Sequence, residues 1–84
     1  MPVEFDEIPC SEGLSEEQRR LNRMARYREV RDELGLGVGA ISRRLGINRD
    51  SWARYEREGG MPADAILNRI HKLSGKSHLW LRGG

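Results

Sequence analysis

Arg49, Asp50, Arg54 and Arg57 fall within one short run, N-R-D-S-W-A-R-Y-E-R at 48–57. A guanidinium is a planar fork of N–H donors. It can give two parallel hydrogen bonds to O6 and N7 of a guanine, or to two oxygens of a phosphate. Asp50 can only accept, which suits either a cytosine amino group or a neighbouring arginine that needs holding in place. The spacing matters as much as the residue types. On a helix, at about 100° per residue, Asp50, Ala53, Arg54 and Arg57 share one side while Trp52, Tyr55 and Glu56 share the other. Such a helix buries its aromatic side and turns its cations outward. The preceding run, V-G-A-I-S-R-R-L-G-I at 38–47, reads as a second short helix that turns sharply at Gly46. Helix, turn and helix together form a pair able to present side chains to the edges of base pairs in a major groove.

The rest of the chain must hold that pair at a fixed angle. Its 84 residues make one domain, and its 37% hydrophobic and 33% charged composition fits a small helical bundle. The formal net charge of +2 hides an asymmetry. Residues 1–17 carry six acids and no base, so all fifteen Lys and Arg stand against seven acids in the remainder, a net of +8. A basic body with an acidic tail points to a polyanionic partner. Neither a membrane span nor a signal peptide is legible, which leads us to expect a soluble, cytoplasmic protein. Cys10 is the single cysteine, so neither a disulfide nor a zinc site is expected. His71 and His78 are likewise isolated, and no nucleophile–base pair, paired carboxylates or phosphate loop is present; the sequence does not read as an enzyme and implies no cofactor, metal or small-molecule ligand. RNA is a poorer fit than duplex DNA, because aromatic residues are few and two of them are assigned to the core.

Taken in order, residues 1–14 lack periodicity, contain Pro2, Pro9 and Gly13, and read as an acidic, mostly disordered arm in which Val3, Phe5 and Ile8 could dock weakly. The domain then runs from 15 to 84. Ser15 with Gln18 reads as a capping box, and Leu21, Met24, Tyr27, Val30 and Leu34 as the apolar stripe of a first helix that stops at Gly35. The arginines on its other faces, among them Arg19 and Arg23, read as solvated charges, of which one or two near the N-terminus could reach phosphate. A weak second helix follows at about 38–45. Ile47 plugs the core, and Asn48 caps a third helix. Gly59, Gly60 and Pro62 break the chain before a fourth helix at about 63–74, and Ser77 caps a short last helix containing Leu79, Trp80 and Leu81. The expectation is an all-α, five-helix bundle.

At this point the sequence resembles the phage repressor, Cro and Xre type helix-turn-helix family. The likeness rests on R-D-E-L-G-L at 31–36, S-R-R-L-G-I-N-R-D-S-W-A-R-Y-E-R at 42–57, M-P at 61–62 and L-W-L-R-G-G at 79–84. The resemblance implies a compact five-helix bundle whose third helix, about 49–58, enters the major groove of double-stranded DNA while the second crosses the backbone, as in a transcriptional repressor. Carried over, Arg49, Asp50 and Arg54 match base-reading positions, with Ser51 a further contact. Val38 and Gly39 would offer backbone N–H groups to phosphate, with Arg43, Arg57, Arg19 and Arg23 as additional phosphate contacts. Arg31 and Glu56 match positions that pair the first helix with the end of the third, an arrangement Glu56 needs because it falls on the core side of its helix.

The departures from the family are specific. Val38 stands where a Gln usually opens the second helix, Gly37 where a capping side chain is usual, and Trp52 where a Val or Ile is typical. One of Leu79, Trp80 and Leu81 is spare for a twofold contact. The family's habit of reading two half-sites therefore implies a homodimer, at least on DNA. A second reading keeps the fold but makes it a protein-interaction module, an antitoxin or adaptor that uses the apolar C-terminus and the acidic arm.

Overall fold

The computed structural model describes residues 14–84 and is all-helical over that span: α1 (Glu16–Leu34), α2 (Val38–Leu45), α3 (Arg49–Glu58), α4 (Asp64–Ser74) and α5 (His78–Leu81). Residues 1–13, on which most of the acidic arm falls, lie outside the described residues. Helix α1 packs on α3 and α5, α2 packs on α3 and α4, and α4 on α5.

Local chemistry sets the helix ends. Ser15 accepts from Gln18 N–H, Asn48 from Ser51 N–H and Ser77 from Trp80 N–H, each satisfying one of the donors that a helix N-terminus leaves unpaired. The capping box expected at α1 is only half formed. The Gln18 side chain donates to Asn22 Oδ1 at 3.0 Å instead of reaching back to Ser15. The turn between α2 and α3 closes at Gly46, whose left-handed conformation lets its N–H return to the end of α2.

The core is one cluster of Tyr27, Val30, Ile41, Leu45, Trp52, Tyr55, Leu67, Ile70 and Leu81. At its centre Tyr27 stacks on Trp52 with ring centroids 5.5 Å apart, and Tyr55 meets both rings edge-on at 5.6 and 5.8 Å. Offset and edge-to-face contacts of this kind contribute beyond the area they bury. The Tyr27 hydroxyl donates to Leu81 O at 2.8 Å and so anchors the end of the chain to α1.

The stripe of α1 differs from the expected one. Leu21 is exposed and Met24 half-buried, whereas Arg23, Tyr27 and Val30 are the buried residues. Successive steps of three drift by about 60° around a helix, so Leu21 lies about 120° from Tyr27. Positions 23, 27, 30 and 34 stay within one narrow face, and Arg23 therefore points inward. Its guanidinium donates to Gly59 O at 2.7 Å, Arg82 O at 2.9 Å and Glu16 Oε2 at 2.9 Å. A buried guanidinium is tolerable here because each nitrogen finds an acceptor.

Other arginines likewise donate to backbone carbonyls. Arg20 donates to Glu58 O at the end of α3, Arg26 to Trp80 O and Gly84 O, and Arg69 to Leu45 O at the end of α2. The contacts to Glu58 O and Leu45 O satisfy carbonyls that a helix C-terminus leaves exposed, and there the cation also complements the negative end of the helix dipole.

The backbone approaches α1 most closely at Gly59 and Gly83. A Cβ on Gly59 would lie 2.4 Å from Arg20 O, and one on Gly83 2.3 Å from Arg19 O. Both glycines also have positive φ, +70° and +94°. Gly59→Ala should therefore destabilise the fold by more than about 3 kcal/mol, the left-handed penalty of about 1–2 kcal/mol plus an overpacking cost of at least comparable size. Gly35→Ala, with φ +67° and nothing within 4 Å of the added carbon, should cost only the left-handed penalty. Urea unfolding of the two variants checks this; equal losses would show that the contact with Arg20 does not constrain α3.

Candidate nucleic-acid interface

Helix α3 is amphipathic in the sense its sequence requires. Trp52, Tyr55 and Glu56 are buried, while Arg49, Asp50, Arg54 and Arg57 are exposed and Ser51 and Ala53 half-buried. Its rotation about its own axis is fixed by Glu56. Arg31 donates to this carboxylate from Nε to Oε2 at 2.6 Å and from Nη2 to Oε1 at 3.1 Å, and the Trp52 indole N–H also donates to Oε2. Arg28 stands 3.8 Å away on the same side. Burial opposes ionisation of Glu56, but the hydrogen bonds from Arg31 and Trp52 and the charges of Arg31 and Arg28 outweigh it, leaving the carboxyl below its usual range.

With that side held inward, Asp50, Arg54 and Arg57 share the opposite side, and Arg49, in the first turn, lies between the two. Arg49 crosses toward the start of α2. Its Nε lies 3.6 Å, and Arg43 Nη1 3.9 Å, from the position that a side chain on Gly39 would occupy. A Cβ at Gly39 would be in ordinary contact with both guanidinium groups, which therefore converge beside the first turn of α2. That turn has no side-chain cap, since its N-cap residue is Gly37, so the N–H groups there are left for another acceptor. Among the described residues neither Arg43 nor Arg49 has an acidic partner. Arg54 and Arg57 reach Glu58 only loosely, at 4.0 and 3.8 Å, with all three side chains more than half exposed. Ion pairs of this kind hold little energy and separate readily.

The structure gathers Arg43, Arg49 and Gly39 at one place, with Asp50 and Arg54 on the exposed side of the same helix. It does not show Asp50 orienting an arginine, because Asp50 forms no ion pair among the described residues. Val38 contributes backbone only; its side chain packs against the core and its carbonyl accepts from Ser42 at 2.7 Å.

Arg23 is corrected from a phosphate contact to a buried structural residue, 5% exposed with its guanidinium bonded within the protein. Arg19 lines a separate groove with Met61, Leu79 and Arg82. The expected dimer patch also shrinks. Leu81 is fully buried, Trp80 is half-buried with Arg26 and Lys76 over its ring at 5.2 and 5.1 Å, and only Leu79 is openly exposed, at 68%. Helical spacing alone cannot resolve three consecutive residues on a helix of four.

The sequence reading missed the arginines that tie helix ends. Arg23 had a detectable signal, its spacing of four from Tyr27 and seven from Val30. Arg26 and Arg69 had none, because their acceptors are carbonyls distant in the chain.

Comparison with protein-family models, curated proteins and solved structures finds no match to this chain.

Two outcomes follow from Glu56. Arg31→Ala should cost about 2–3 kcal/mol at neutral pH. This is less than the full about 3–5 kcal/mol for orphaning one member of a buried pair, because Arg31 is partly exposed and Arg28 stands close by. Because the native carboxyl titrates below the ordinary value of 4.5, the unfolded chain takes up a proton first as pH falls. The stabilisation from the pair is thus complete above about pH 4.5 and is lost as pH drops through the native value. Denaturation of both proteins between pH 7 and 3 should show the difference between them narrowing with acidification; a constant gap would mean that the pair does not supply it.

Proposed function

We propose that this chain is a sequence-specific double-stranded DNA-binding regulator, acting as a repressor by occupying its site, with α3 in the major groove and the start of α2 against the backbone. The observation that carries the reading is the convergence of Arg43 and Arg49 over Gly39, at the uncapped start of α2 and with no acidic partner among the described residues. Two like charges brought together at an open helix N-terminus lower their mutual repulsion when an anion sits between them. A polyanion that continues past this point would also meet the exposed side of α3.

The roles divide by geometry. Arg43 and the first N–H groups of α2 would hold phosphate, which sets register without reading sequence. Arg49 and Arg54 would read guanine edges, with Asp50 accepting from a cytosine amino group. Arg57, further along α3, would lie against the flanking backbone. A module with so few phosphate contacts binds weakly at physiological salt, and we propose that two copies bind together on a twofold site, with Leu79 the apolar residue left for the contact. On this reading no cofactor or small-molecule ligand takes part, and occupancy follows concentration and competition.

Affinity on a selected duplex should fall by about 1–3 kcal/mol for Arg49→Ala, with preference relaxed at one base pair. Arg43→Ala should weaken all sequences alike and lower the salt slope by about 1. Fluorescence anisotropy over a salt series on the selected and a scrambled duplex separates these. Binding that ignores salt, or an equal loss on both duplexes for Arg49→Ala, would count against the reading.

A further inference from the structure

Leu21, Met61 and Leu79 are the large apolar side chains left exposed among the described residues, at 45%, 50% and 68%. Two of them, Met61 and Leu79, line the same groove of about 430 Å³, together with Glu16, Arg19, Arg23, Arg82 and Gly84. Its charge is not balanced. Glu16 is engaged by Arg23 at 2.9 Å, whereas Arg19 and Arg82 have no ion-pair partner among the described residues. The groove therefore presents two apolar side chains flanked by two unpaired cations, which is the complement of a short segment that alternates apolar and acidic residues.

This chain carries such a segment, and its attachment point is at the groove's edge. Residues 1–13 contain Val3, Phe5 and Ile8 interleaved with Glu4, Asp6, Glu7 and Glu12, and no base. They end two residues before Glu16, one of the lining residues. Six peptide units from Ile8 to Leu14 can span about 20 Å. A segment tethered this closely meets its site at an effective concentration on the order of millimolar, so even a weak contact is populated.

We propose that residues 1–13 dock in this groove of their own chain, an apolar side chain between Met61 and Leu79 and carboxylates against Arg19 and Arg82. Because Leu79 is also the residue proposed above for contact with a second copy, docking and pairing exclude each other. The chain free of DNA is then monomeric with its patch covered. The docking itself does not require DNA binding, and its test involves no nucleic acid.

The test is isotope-edited NMR of the full chain at low salt. Nuclear Overhauser contacts are expected from the Met61 and Leu79 methyl groups to Val3, Phe5 or Ile8, lost in Leu79→Ser together with a return of those three residues to random-coil shifts. Leu79 is exposed, so this variant should keep the fold; an unchanged pattern of core methyl shifts verifies that. A second variant, Phe5→Ser with Ile8→Ser, should remove the same contacts without touching the groove. Absence of any such contact in the full chain would overturn the proposal. So would contacts seen only between labelled and unlabelled copies in a mixed sample, or contacts from Leu79 to its counterpart in a second copy.

Discussion

One carboxylate sets the orientation on which the rest depends. Glu56 is buried in α3, accepts from the indole of Trp52 on its own helix and from the guanidinium of Arg31 on α1, and so satisfies a buried donor and a buried acceptor together. An unpaired carboxylate at this position would be costly. With it held, α3 cannot rotate without breaking the pair and parting Trp52 and Tyr55 from Tyr27. The exposure of Asp50, Arg54 and Arg57 is a consequence of that constraint.

The basic charge divides between structure and surface in a way that total charge conceals. Arg20, Arg23, Arg26 and Arg69 donate to carbonyls at helix ends and at the C-terminal residues, joining α1 to α3 and α5, and α4 to α2. Lys76 and Arg26 cover Trp80. In a domain with so small an apolar core, long cationic side chains serve as ties because each can satisfy two or three acceptors. Arg43, Arg49, Arg54 and Arg57 remain at the surface, with little or no engagement inside the protein.

The helices, their caps and the two sides of α3 were legible in the sequence because they depend on local signals. Gly35, Gly46 and Gly75 mark stops, Asn48 and Ser77 mark starts, and the spacing of Trp52, Tyr55 and Glu56 divides one short helix cleanly. Other features depend on distant partners. Leu21 resembled a core residue in a pattern of threes, while Arg23 looked like a surface cation until its acceptors on Gly59 and Arg82 were in place. Gly39 looked like a weakness in α2, and only the packing of α3 across it shows that Arg49 and Arg43 come together beside it. Leu79, Trp80 and Leu81 could not be ranked from a single turn of helix, since that ranking follows from where the carbonyls of Trp80 and Leu81 meet Arg26 and Tyr27.

On the proposed reading, α3 reads base sequence. Selection of duplexes from a random pool by the full chain tests it most directly. Recovery of a guanine-containing motif is expected, repeated with twofold symmetry at a spacing of about one helical turn, with the preference altered at one position when the selection is repeated with Arg49→Ala. A recovered pool indistinguishable in sequence from the starting one would contradict it.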